Sequence, residues 1–169
     1  MAVPTPFAAG PVLVAVDFSE DSRLALVWAA RQAGLEGTQL IILHVVHDPA
    51  ASPGFYRKPD DNYLRPMVDV AKEMMDDFIT EAKAEHPDLP ALSAAHLRLV
   101  SGLPPGRIVE FAEAEGVGIV VLGSRGRTGL AHVLLGSVAE RVVQLCPLPV
   151  VVVKAPPESA EASGNAVES

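Results

Sequence analysis

The chain has a single cysteine, Cys146, so no disulfide can form within it, and a reducing compartment such as the cytoplasm fits. Aromatic residues are scarce at 5%, which predicts an aliphatic core of Val, Leu, Ile and Ala. Basic residues are outnumbered: 13 Lys and Arg stand against 21 Asp and Glu, for a formal net charge of −8. That balance argues against sequence-independent nucleic-acid binding, which rests on Lys and Arg neutralising phosphates, and equally against docking on an anionic membrane. No apolar run approaches the roughly 20 residues that cross a bilayer, so no membrane insertion is expected. Met1 to Gly10 lack a basic segment followed by an apolar one and read as an N-terminal extension, not a signal peptide. Metal-ligand clusters are missing too. His44 and His47 are three apart in or beside a strand, where alternate residues point to opposite faces, so they should not converge.

What is present is a regular alternation. Apolar residues make up 49% of 169 residues, enough for one sizeable core and one domain. Val12 to Val16, Leu40 to Val46 and Ile119 to Leu122 are continuous apolar runs, as expected of strands buried on both faces. His96 to Val100 reads as a more polar strand, and Leu148 to Val153 as a last one. Between them lie helical stretches. One is capped by Ser19, with Glu20 and Asp21 in its first turn, and runs to about Ala33, with Gly34 and Gly37 ending it. The next shows Met67, Val70, Ala71, Met74, Phe78 and Ala82 at helical spacing. Another begins near Pro104 and Pro105, and the last carries Val138, Val142, Leu145 and Cys146 before Pro147 stops it. Strands alternating with helices imply a parallel sheet with helices on both faces, an α/β fold with one domain over residues 11–154. The end, Ala155 to Ser169, is rich in Pro, Ser, Glu, Ala and Gly and is expected to be a disordered tail. The stretch His47 to Pro66 has no clear pattern; Tyr56, Arg57 and Lys58 within it suit either a lid or a solvated loop.

In parallel sheets of this kind, ligands bind beyond the carboxyl ends of the strands, where the strand order reverses. Asp17, Val45 and Gly123 lie at such ends. After the strand ending at Leu122 comes Gly123-Ser124-Arg125-Gly126, and Gly136-Ser137 then opens the last helix. Glycines let a backbone approach an anion closely, and a helix start offers unpaired N–H groups and a positive dipole end. The loop is neither a Walker A loop nor the Gly-x-Gly-x-x-Gly dinucleotide fingerprint. Taken alone, its glycines suit an anion site or simply a turn after a strand.

The whole segment is more specific. Gly123, two residues, Gly126, nine residues, then Gly136-Ser137 closely resembles the universal stress protein family in its ATP-binding branch. Val14 to Glu20, Leu43-His44-Val45 and Cys146 to Val152 extend the likeness over roughly Pro11 to Lys154. The resemblance implies an open five-stranded parallel sheet of order 3-2-1-4-5, Rossmann-like and of the adenine nucleotide alpha hydrolase type. It implies that Asp17 contacts the ribose, that the Val45 backbone holds adenine, and that Gly123 lies near the ribose. Gly126, Gly136, Ser137 and the Val138 N–H would hold the phosphates. Mg²⁺ would arrive with the nucleotide, held by phosphate oxygens. Two copies would meet through the last strand, Leu148 to Val153, as a homodimer.

Other residues have plainer readings beside functional ones. Arg125 and Arg127 are either solvated side chains or phosphate contacts. His44 reads as a hydrogen-bonded core histidine, His132 as a surface residue, Cys146 as a buried inert thiol, and Met67, Met74 and Met75 as helix packing. The expected function is a nucleotide-dependent regulatory protein of the stress response that signals to a protein partner. A slow ATP hydrolase is one alternative: the arginines could stabilise charge, but no residue stands out to position a water. An AMP or cyclic AMP binding protein, using the same adenine and ribose contacts, is another.

Overall fold

A computed structural model of the chain describes residues 10–47, 66–126 and 135–156. The N-terminal extension, the patternless stretch after His47, Arg127, His132 and nearly all of the tail lie outside the described residues. The elements are β1 (Val12–Ala15), α1 (Glu20–Glu36), β2 (Leu40–Val46), α2 (Met67–Glu85), α3 (Pro90–Ser93), β3 (His96–Ser101), α4 (Pro104–Ala114), β4 (Ile119–Gly123), α5 (Ser137–Leu145) and β5 (Val150–Val153). The five strands form one sheet in the order β3-β2-β1-β4-β5, and every pairing is parallel.

Side-chain alternation divides the core in two. Val12, Val14, Val16 and Ile42 face α1, α2 and α3; Leu13, Ile41, Leu43 and Val120 face α4 and α5. All seven residues of β2 are buried, which explains its unbroken apolar run. The edge strand β3 leaves His96 and Arg98 exposed. The inward face of α1 is Ala25, Leu26, Ala29, Ala30 and Ala33, mostly small side chains. They let the helix lie close to the sheet: a Cβ built on Gly123 in β4 would stand 2.7 Å from the Asp21 carbonyl carbon of α1.

Several elements differ from the sequence expectation. Helix α1 continues past Gly34 to Glu36, because Gly37 adopts the left-handed conformation (φ 63°) and its N–H caps the helix end. In α2 it is Met75 that is fully buried, while Met67 is 43% exposed; a slight rotation of the apolar stripe accounts for both. The short α3, started by Pro90, was not anticipated. Strand β5 begins at Val150, leaving Leu148 in the preceding loop. Cys146 is the C-cap of α5 and only half-buried, not a core thiol, because the helix stops one residue before it.

Candidate functional site

The chain leaves β1 through a tight turn. Phe18 has φ 64°, a left-handed conformation that costs a non-glycine residue roughly 1–2 kcal/mol. Packing holds it there: its ring lies 4.3 Å from that of His44 and 5.5 Å from that of Phe78, centre to centre. His44 is 4% exposed, with Nδ1 2.7 Å from the Val16 carbonyl oxygen, so it is the hydrogen-bonded core histidine expected. The turn separates two jobs. Ser19 caps α1, its Oγ accepting the Ser22 N–H at 3.2 Å. Asp17, half-buried, uses Oδ1 to accept from the Ser19 N–H and hydroxyl. Its other oxygen, Oδ2, points toward the loop after β4: a Cβ on Gly126 would come within 3.0 Å of it.

That loop is tied down at Ser124, which is 2% exposed. The Ser124 N–H donates to the Val153 carbonyl of β5 at 2.8 Å, its hydroxyl to Asp21 Oδ2 of α1 at 2.8 Å, and its carbonyl accepts the Gly136 N–H at 2.7 Å. One residue thus joins the sheet edge, α1 and the start of α5. Gly136 sits close against this loop: a Cβ there would lie 3.3 Å from the Ser124 oxygen, tighter than ordinary contact. Gly136 is also the N-cap of α5 and makes no side-chain cap. The first bond of that helix runs from the Glu140 N–H to the Gly136 carbonyl, so the N–H groups of Ser137, Val138 and Ala139 have no acceptor within the helix. They are the donors a helix start offers to an anion.

Val45 lies on the other side of β1. The β1–β2 ladder runs as far as the Val16 N–H donating to Leu43 at 2.9 Å. Peptide groups along a strand alternate between its two neighbours, so those of Val45, two residues on, turn toward the gap where β1 has ended. Strand order β2-β1-β4 therefore sets Val45, Asp17 and Gly123 side by side along one edge. Gly123 is pressed against the first turn of α1, which gives it a packing reason of its own. Arg125 is not a free solvated cation: its Nε lies 3.3 Å from Asp21 Oδ2 and its Nη2 3.4 Å from Oδ1. Gly126 and Ser137 are exposed, and Val138 is half-buried.

Sequence reasoning missed Asp21, placing it only as a first-turn acid. It is 5% exposed and accepts from Ser124 Oγ, from the Arg125 N–H at 3.0 Å and from the Arg125 guanidinium. Burial pushes its pKa up, but the bonds from Ser124 and Arg125, with the Arg125 charge, outweigh that and hold the carboxyl below its ordinary value. Its partners lie more than a hundred residues away, at separations of 103 and 104, so no local spacing signals it. Among the described residues, no group of three or more His, Cys, Asp or Glu is placed to hold a metal.

Known proteins resemble this chain in sequence and in fold. The sequence model of the universal stress protein family matches residues 9–154. The chain belongs to the universal stress protein family. It is 30% identical over 156 residues to universal stress protein MJ0577 of Methanocaldococcus jannaschii, covering 85% of this chain and 93% of that one. A shorter match, 49% identical over 61 residues, covers 36% each of this chain and of universal stress protein MJ0531 from the same organism. The solved structure of MJ0577 superposes with a TM-score of 0.63 at 28% identity, over 87% of this chain and 96% of that one. A universal stress protein in complex with cAMP superposes at 0.57 with 27% identity, over 86% and 97% of the two chains. The Archaeoglobus fulgidus universal stress protein in complex with dAMP does so at 0.55 with 25% identity, over 86% and 98%.

Proposed function

We propose that this universal stress protein binds an adenine nucleotide at the carboxyl edge of its sheet, ATP in preference to AMP or cyclic AMP, and acts as a nucleotide-dependent dimer in the cytoplasm. The observation that carries this is the meeting of Asp17, Gly126 and Gly136 around one loop, beside uncapped N–H groups of α5. A carboxylate oxygen suits ribose hydroxyls, and open peptide N–H groups suit phosphates. In this reading Asp17 and Gly123 take the ribose. The Val45 peptide takes the edge of adenine. Gly126, Gly136, Ser137 and Val138 take the phosphates, with charge from Arg125 and Arg127. Any Mg²⁺ is carried in by the phosphates. The family complexes with cAMP and dAMP support an adenine nucleotide as the ligand class.

Dimerisation is read from β5. Pro149 accepts from the Val120 N–H of β4 and Val153 from the Ser124 N–H just after it, so by alternation the peptide groups of Val150 and Val152 face the open edge. Val143 and Leu145 of α5, 47% and 45% exposed, add apolar surface on the helix before it.

Calorimetric titration of the purified protein with ATP, AMP and cyclic AMP tests the ligand, together with mass spectrometry of what denaturation releases. ATP binding tightest supports the proposal. Tighter binding of cyclic AMP, which the cAMP-bound relative favours, replaces it with the second reading. Binding of none of the three sinks the nucleotide site. ADP accompanied by time-dependent phosphate release identifies turnover.

A further inference from the structure

We propose that Asp21 is a positioning residue for the phosphates: it fastens the loop after β4 in the shape that admits them. This rests on the nucleotide reading above. Acids in the first turn of a helix usually face water and complement the dipole. Asp21 instead turns inward and is 5% exposed. A buried carboxylate is costly unless it is paired and hydrogen-bonded, and an apolar residue serves packing as well. The partners of this one belong to a single loop, Ser124 and Arg125, directly before Gly126. Through Ser124 the clamp reaches further, because the Ser124 carbonyl accepts the Gly136 N–H and so fixes where α5 begins.

Asp21 has two conceivable effects on a phosphate, of opposite sign. Bracing the loop strengthens binding; holding the Arg125 guanidinium away from the phosphate weakens it. The distances decide between them. The shorter bonds, 2.8 and 3.0 Å, go to the Ser124 hydroxyl and the Arg125 peptide N–H, while the guanidinium contacts are 3.3 and 3.4 Å. Bracing dominates.

The role distinguishes phosphate from nucleoside. Asp21→Ala is expected to lower ATP affinity about tenfold, while adenosine affinity changes less than about twofold. Asp21→Asn, which keeps an acceptor oxygen for Ser124 or the Arg125 N–H, should recover part of the loss; it also serves if the alanine variant does not fold. Competition titrations of a fluorescent adenine nucleotide with ATP and with adenosine, on wild type and both variants, give these ratios. Amide exchange at Ser124 to Gly126 in nucleotide-free protein should rise in both variants. Equal losses for ATP and adenosine mean general loosening and overturn the proposal. Unchanged ATP affinity overturns it, and a gain in ATP affinity shows Asp21 to be withholding Arg125 and overturns it as well. Wild type failing to bind ATP defeats the nucleotide reading and this inference with it. Wild type and Asp21→Ala binding ATP equally well defeats this inference alone.

Discussion

Replacing Gly123 by alanine tests how closely the site is built onto α1. The residue is not at positive φ, so a methyl group there brings no backbone strain and acts only through space. Its Cβ would lie 2.7 Å from the Asp21 carbonyl carbon, 2.8 Å from the Ser22 nitrogen and 2.9 Å from the Asp21 Cβ. Ordinary contact begins at 3.4 Å, so the first turn of α1 must retreat by about 0.7 Å. The atoms struck are mostly helix backbone and cannot rotate aside as a side-chain end could. Overpacking of a well-packed interior costs roughly 1–3 kcal/mol, and this rigid contact belongs in the upper half of that range. For a domain of this size, each kcal/mol moves the thermal midpoint about 2–4 °C, so a fall of roughly 5–10 °C is expected. Gly34→Ala is the control. Gly34 is an exposed helix position with no atom within 4 Å of an added Cβ, and it should gain about 0.5–1 kcal/mol from helix propensity. Urea unfolding followed by the fluorescence of Trp28, a residue of α1 that packs against the core, reads both variants. The signature is opposite shifts of midpoint with an unchanged slope. A Gly123→Ala protein within about 0.5 kcal/mol of wild type would show that α1 and β4 are not held this closely, and would refute the packing argument.

Gly126→Val should abolish ATP binding yet shift the thermal midpoint by no more than about 2 °C, since the residue is exposed and, among the described residues, only Asp17 Oδ2 is near its Cβ; retained affinity would sink the site. Asp21 carries a pH signature. Its folded pKa lies below the ordinary 3.8, so its contribution is fully present above that value and is lost as pH falls through the folded pKa. The stability gap between wild type and Asp21→Asn, measured by denaturant unfolding, should therefore be constant near neutrality and close in acid below 3.8; a gap unaffected by acid contradicts the ionised clamp. Val152→Pro removes a peptide N–H that faces the open sheet edge while sparing the bonds to β4, so light scattering should report that the proposed dimer dissociates to a monomer that keeps its fold. An unchanged dimer mass places the interface elsewhere.

What the sequence displayed and what it hid divide along physical lines. Strands buried on both faces must be apolar throughout, so β1, β2 and β4 announced themselves, and their alternation with helices implied the parallel sheet. The strand order 3-2-1-4-5 followed from the resemblance carried by the glycine spacing, and the sheet has that order. Boundaries were less legible where a single residue decides them. Gly34 has the same letter as Gly37, but only Gly37 turns left-handed and ends the helix. Hidden altogether was the network around Asp21. An acid at the second position of a helix already has a sufficient local reason in the dipole, and nothing nearby betrays a partner a hundred residues on. The same holds for Gly123: a turn or a ligand contact at the strand end accounts for it locally, and nothing nearby in the sequence signals that α1 lies against it. These two facts are one arrangement. Small residues on α1 and a glycine in β4 bring the helix close enough for Asp21 to reach Ser124, and Ser124 in turn holds Gly136 at the start of α5. The glycine motif is therefore only the visible half of the loop's design; the other half is the close approach of α1, and a chain that kept the glycines but lost that approach would keep the motif without its shape.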